Sequence, residues 1–129
     1  MIEPRQALYA FLLADPGVKA AITDIHQGRI PGGAETPLLL IHPPISRVPQ
    51  MDLGGVARKR TRIQITAVAD TQAEAEKAAG AVMAAVEGFV GDMSGLNVIL
   101  ATVDNDRQRA YPDIDEIHHH IDVMVTYKG

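Results

Sequence analysis

The 129-residue chain contains no cysteine and no tryptophan, and only three tyrosines and two phenylalanines. Without thiols there is no disulfide framework, no cysteine-ligated zinc and no thiol nucleophile. That absence suits a reducing compartment. With so few rings, the core must be built from Ile, Leu, Val, Met and Ala. Apolar runs are short: Pro37 to Ile41 falls far below the ~18 residues that span a bilayer. The opening Met1-Ile2-Glu3-Pro4-Arg5 lacks the charged, apolar and cleavage regions of a secretory signal. An excess of positive charge is missing too. A net charge of −4 and a pI near 5.6 argue against a general nucleic-acid binder, which is usually basic. The expectation is a soluble, cytoplasmically made protein with no membrane partner. Its length is that of one domain, 1–129, able to bury roughly two-thirds of its unfolded surface.

The best-specified stretch runs from Gly54 to Gly91. A glycine-opened basic segment, Gly54 to Arg60, leads into a strand pattern over Thr61–Ala69. Ile63, Ile65, Ala67 and Ala69 share one face there, with Arg62, Gln64 and Thr66 on the other. Thr71 and Glu74 have the spacing of a capping box. The helix they open carries Ala75, Ala78, Ala79, Val82, Val86 and Phe89 on one stripe, and Gly88 and Gly91 suit its exit. Nothing in this stretch can do chemistry, which points the functional question toward assembly.

Elsewhere the spacing predicts a helix over Glu3–Ala14 with Ala7, Leu8, Phe11 and Leu12 inward. Asp15-Pro16 breaks it, and Asp15 caps a short turn over Val18–Ile22. Gly28–Ile30 reads as a short strand, Pro31-Gly32-Gly33 as a turn, and Pro37–Ile41 as a buried strand. Pro43-Pro44 must bend that strand or hold it at an edge. Ser46–Lys59 reads as a long loop or extended hairpin arm. A strand over Leu96–Val103 sets Leu96, Val98 and Leu100 against Asn97, Ile99 and Ala101, and a polar loop over Asp104–Asp113 follows. The last strand alternates cleanly, with Ile117, His119, Ile121, Val123, Val125 and Tyr127 opposite His118, His120, Asp122, Met124 and Thr126. The fold class is α+β: one mainly antiparallel sheet, two main helices on one face, and a long loop or hairpin arm.

Candidate chemistry is thin. His118 and His120 point the same way in a strand, the geometry of a His-x-His metal site, but a third ligand must come from Asp122 or the distant His26 and His42. Asp104, Asp106, Asp113, Asp115 and Glu116 match no calcium-loop spacing, and Arg107 and Arg109 interleave with them. The basic run Arg58 to Arg62 has no interleaved aromatics for base stacking and suits a charged strand start or a partner surface. The glycine pairs lack a phosphate-loop pattern, and Ser46 and Ser94 stand in no nucleophile elbow. No catalytic residue and no cofactor is expected.

Taken in order, these pieces resemble the phage tail completion (tail terminator, head–tail joining) family. They run from Leu12-Leu13-Ala14-Asp15-Pro16 through Gly28-Arg29-Ile30-Pro31 and Thr36-Pro37. Asp52-Leu53-Gly54-Gly55, Arg62-Ile63-Gln64-Ile65 and Thr71-Gln72-Ala73-Glu74-Ala75 follow, and Asp104, Tyr111 and Pro112 precede the terminal strand. Pro43-Pro44 departs from the pattern. The resemblance implies a non-catalytic ring, usually of six subunits, on the head-proximal end of the tail tube. It would halt tube growth and join tail to head, in a phage or prophage virion. Its partners would be further copies, the tube protein, a head-completion or neck protein, and DNA passing unbound through the lumen. The contact candidates are Arg47, Met51, Asp52, Leu53, Arg58, Lys59 and Arg60 in one arm. Asp104, Asp106, Arg107, Arg109 and Tyr111 supply the other. Alternatives are another neck or tube ring protein, or a small metal-binding module built on His118 and His120.

Overall fold

The computed structural model describes residues 3–27, 35–44, 46–51 and 57–128, and the backbone alone for 46–51 and 57. The expected strand Gly28–Ile30, the turn Pro31-Gly32-Gly33 and the contact candidates Asp52 and Leu53 lie outside the described residues. Helix α1 (Pro4–Ala14) starts with its proline in the first turn, where a missing N–H costs no hydrogen bond, and buries Ala7, Leu8 and Leu12. It stops at Asp15, which is extended as a residue before proline must be. The Asp15 carboxylate then accepts the Val18 N–H at 3.0 Å and caps α2 (Pro16–Ala21).

Strands β1 (Asp24–Gln27) and β2 (Leu38–Ile41) pair in parallel, and β2 pairs antiparallel with β4 (Ala57–Ala69). Strand β3 (Ser46–Met51) also pairs with β4, from Ser46 opposite Arg62 to Met51 opposite Ala57. Of the two forms expected for Ser46–Lys59, the hairpin arm is therefore the one adopted. Strands β2 and β3 lie end to end along one edge of β4, separated where His42-Pro43-Pro44 interrupts the ladder. Proline cannot donate to a ladder, so Pro49 is accommodated in β3, which pairs on one side only among the described residues.

Helix α3 (Gln72–Val86) begins as its sequence predicts, with the Thr71 hydroxyl accepting the Glu74 N–H at 3.2 Å. Its end differs from expectation. The helix closes at Val86, Gly88 turns the chain with φ of 76°, and Phe89–Met93 forms β5, so Phe89 and Gly91 belong to a strand. Phe89 still packs inward, its ring 4.7 Å from that of Phe11 in an edge-to-face contact. Ser94 and Gly95, with φ of 47° and 101°, form a two-residue turn into β6 (Leu96–Tyr111). Positive φ at both central residues matches the twist of a hairpin.

The segment expected as a loop, Asp104–Asp113, is strand as far as Tyr111. It ladders onto β7 (Glu116–Lys128) from Asn105 opposite Asp122 to Tyr111 opposite Glu116, and a 3-10 turn over Pro112–Ile114 with Asp115 at φ 51° joins the two strands. Its polarity suggested a loop because a half-strand lying beyond the core can carry charge on both faces. The face assignment within β6 also changes. Shifts of register between Val98 and Leu100 and between Val103 and Asn105 insert extra residues. Parity therefore resets, leaving Leu100 43% exposed and Ala101 fully buried.

Among the described residues the completed sheet has seven strands in the order β1-β2-β4-β7-β6-β5, with β3 off the path beside β4. The molecule is an α+β fold whose helices gather on one face. There Leu8 and Leu12 of α1, Val18 of α2, and Ala78, Ala79 and Val82 of α3 join Leu39, Ile41, Ile63, Ile65, Ile121, Val123 and Val125 in one core cluster. Alanines at the contact let α3 lie close to the sheet. Among the described residues, no helix is long and apolar enough to cross a membrane.

The reset of β6 has a direct test by denaturant unfolding. Leu100→Ser should shift stability by no more than about 0.5 kcal/mol, as for an ordinary surface change. Ala101→Asp should destabilise by several kcal/mol, since it buries an unpaired carboxylate. The unshifted alternation requires the reverse order.

Candidate contact surface on the outer face of the sheet

Every second residue of the central strands points away from the helices. The ladders set these residues in rows across the sheet: Leu40, Thr66, His120 and Arg107 in one row, Leu38, Val68, His118 and Arg109 in the next. Beyond them come Gln64, Asp122 and Asn105, then Arg62 opposite Met124, Arg60 opposite Thr126 and Arg58 opposite Lys128. The face is apolar where Leu38, Leu40 and Val68 are buried and at Met124 and the exposed Leu100. Otherwise it is polar and rich in basic groups.

Its centre is a hydrogen-bonded hub. Thr66 is only 2% exposed, and its hydroxyl oxygen lies 2.8 Å from His42 Nε2 and 2.9 Å from His120 Nδ1. A hydroxyl donates one proton and accepts others, so with neutral rings it bridges the two imidazoles. Next to it His118 Nε2 sits 3.0 Å from Glu116 Oε1, with its ring against Tyr111 at 4.4 Å between centroids and against His120 at 6.0 Å. The buried Asp122 carboxylate accepts from Gln64 Nε2 at 3.3 Å and from Arg107 Nη1 at 3.4 Å. Arg62 donates to Asp104 at 2.5 Å, and Arg109 lies over the Tyr111 ring at 5.1 Å. Among the described residues no buried side-chain nitrogen or oxygen lacks a hydrogen-bond partner.

Two of these histidines hold protons weakly. Burial pushes His42 below the ordinary imidazole value of 6.5, aided by the charge of His118. Burial likewise lowers His120, followed by Arg107, His118 and His42, against an opposing pull from Asp122. As for a metal, His118 and His120 turn to different partners, and among the described residues no three His, Asp or Glu side chains converge where an ion could sit.

The sequence-nominated contacts separate on this frame. Arg58 and Arg60 lie on the outer face, and Lys59 takes the opposite parity. Arg47 and Met51 are placed in β3 opposite Thr61 and Ala57, their side chains outside the description. Asp104, Arg107, Arg109 and Tyr111 reach the outer face, whereas Asp106 turns to the other side and bonds His119 Nε2 at 2.8 Å. Sequence reasoning did not single out Thr66, Arg62, Asp122 and His42 as one group. The signal was there, in polar alternate positions of two strands, but nothing local says that those strands are neighbours.

The hub has a pH consequence. Because the folded values lie below that of the unfolded chain, unfolded protein takes up protons first as pH falls. The stabilisation is therefore complete above about pH 6.5 and is lost as pH falls toward the depressed folded values. Thermal midpoints followed from about pH 7 to 5 should decline, and His42→Gln with His120→Gln should flatten that decline. An acid limb equally steep in the double variant would rule the hub out as its source.

Comparison with known proteins places this geometry in a wider set. The family model described as tail completion protein gp17 matches residues 6–128. No curated protein matches the chain. Among solved structures, a chain from the virion of a native gene transfer agent particle superposes with a TM-score of 0.82. Its sequence is 20% identical, and the match covers 98% of this chain and 95% of that one. At that identity the likeness concerns the fold.

Proposed function

The chain belongs to the tail completion protein gp17 family, and from that premise we propose that it is a structural virion protein. In this reading it forms a ring at the head-proximal end of a tail tube, ends tube growth and joins tail to head. The observation that carries the proposal is the family match over residues 6–128, nearly the whole chain. The fold shared with a chain of a gene transfer agent virion supports it.

The surface fits such work. A closed ring uses heterologous contacts, which need two different complementary faces on every subunit. Here one side of the sheet is covered by helices, while the other displays a basic, hydrogen-bonded face. The β3–β4 arm and the distal β6–β7 hairpin are the extensions from which neighbours, the tube protein and a head-completion or neck protein would be reached. DNA would pass through the lumen without specific binding, in keeping with a net charge of −4. The site of action is the neck region of the virion, and the role is assembly rather than catalysis.

Adding the protein to polymerising tail-tube protein tests the terminating role. Substoichiometric amounts should shorten the tubes seen by electron microscopy, with a ring at one end. Tubes of unchanged length would refute termination. Native mass spectrometry of the capped tubes should give a six-fold complement of this chain. Duplex DNA at low salt should not be retained by the ring.

A further inference from the structure

Two strand edges of the sheet stand open. Among the described residues β1 pairs only with β2, and β6 beyond Ala101 pairs only with β7. Free edges are ordinarily guarded by proline, by a bulge or by charges. Strand β3 carries Pro49, and β5 is broken by a register shift between Phe89 and Gly91. The distal half of β6 has neither device. From Asn105 to Tyr111 it contains no proline or glycine, its register is unbroken, and residues 104–110 are exposed. The side chains of Asp106, Arg107 and Gln108 reach across to β7 and leave the backbone edge clear. Beside the β1 edge is a hollow lined by Leu12, Leu13, Lys19, Ile22 and Thr23, with Leu13 42% exposed. At the tip of the β6–β7 hairpin, Ile114 stands out at 59% exposure between Asp113 and Asp115.

We propose that the distal β6 edge of one subunit pairs antiparallel with the β1 edge of a second copy, seating Ile114 in the hollow between α1, α2 and β1. The proposal rests on the ring reading and names its contact. Strand direction permits it. β1 and β2 run with β7, while β4 and β6 run against them. Two copies side by side in the same strand sense therefore bring β6 and β1 together antiparallel. One row of the sheet runs from Asp24 through Leu38, Val68 and His118 to Arg109, and another from His26 to Arg107. Keeping these rows in line from copy to copy puts the Asp24 carboxylate, 58% exposed, opposite Arg109, with Arg107 on the diagonal. Among the described residues no lysine or arginine engages Asp24, and no carboxylate engages Arg109. The same alignment carries the hairpin tip past Ile22 to the hollow, where Ile114 meets Leu12 and Leu13, and Asp113 and Asp115 meet Lys19. Among the described residues these three charged side chains have no partner of their own. Two-fold pairing of β6 edges fits less well. Each face-matched antiparallel register centred between Asp106 and Arg109 sets Asp106, Arg107 or Arg109 opposite a like charge. The contact from β6 to β1 is heterologous, so it propagates around a ring.

Because the chain has no cysteine of its own, introduced thiols report contacts without background. Extending the rows by one residue places Thr23 opposite Ala110, both exposed and uncharged. Thr23→Cys and Ala110→Cys proteins are mixed at high concentration and oxidised. Disulfides between positions 23 and 110 should exceed both homodisulfides by about tenfold. As a check that does not rely on thiols, Arg109→Asp should weaken self-association about tenfold, and combining it with Asp24→Arg should restore it. Ile114→Asp should weaken association as much while leaving the thermal midpoint of the subunit in place, since its side chain is exposed there. Statistical cross-linking overturns the contact, as does unaltered association in both Arg109→Asp and Ile114→Asp. So does an Ala110→Cys link to tail-tube protein in place of Thr23→Cys, which gives the edge to the tube. A closed ring linked through other positions leaves the ring reading standing and removes this one. Links between 23 and 110 in open chains do the opposite.

Discussion

The twelve-pair antiparallel ladder between β4 and β7, from Arg58 opposite Lys128 to Ala69 opposite Ile117, runs without a break through the middle of the sheet. Its unshifted register assigns each residue of both strands to one of two environments. Ile63, Ile65, Ile121, Val123 and Val125 enter the core, where each buried branched side chain contributes roughly 1.5–3 kcal/mol. Their alternates, Gln64, Thr66, His120 and Asp122, face the other way. A slip of one residue would exchange these sets, exposing the apolar positions and burying imidazole and carboxylate under the helices. The hydrophobic core and the polar face are therefore consequences of a single pairing.

That pairing also explains why a face carrying histidines, arginines and carboxylates can be so well satisfied. The rows bring Thr66 between two imidazoles and Asp122 between an amide and a guanidinium. Groups this close in a partly buried setting are held by mutual hydrogen bonds, and such networks fix side-chain geometry. A rigid polar face presents a defined pattern of charge to whatever it meets. For a protein that assembles, this matters more than depth, because orientation is set by which charges can meet and which must not.

Much of this was legible in the chain itself. The capping residues Asp15 and Thr71, the alanine stripe of α3 and the alternation of β7 are local signals whose physical causes lie within a few residues, and all three appear where expected. The departures have one common cause. Whether Phe89 continues a helix or opens a strand, whether Asp104–Tyr111 is loop or ladder, and which of Leu100 and Ala101 is buried are all decided by a partner strand distant in sequence. Polarity marks a segment as exposed without telling strand from loop, and periodicity cannot anticipate a bulge. The outer face was out of reach for the same reason: its residues are local to two strands, but their adjacency is not.

The strand order has a consequence for how the protein comes to exist. β7 is last in chain order yet lies between β4 and β6, so β1 to β4 on one side and β5 with β6 on the other have no shared ladder until it inserts. Without β7 the ladders of the fold divide into two part-sheets, and the edges that β7 covers are of the kind that pairs indiscriminately when exposed. Joining them brings together residues separated by about half the chain, which slows folding relative to a helical protein of equal size. The last strand of the chain is thus the one that makes two part-sheets into a single sheet.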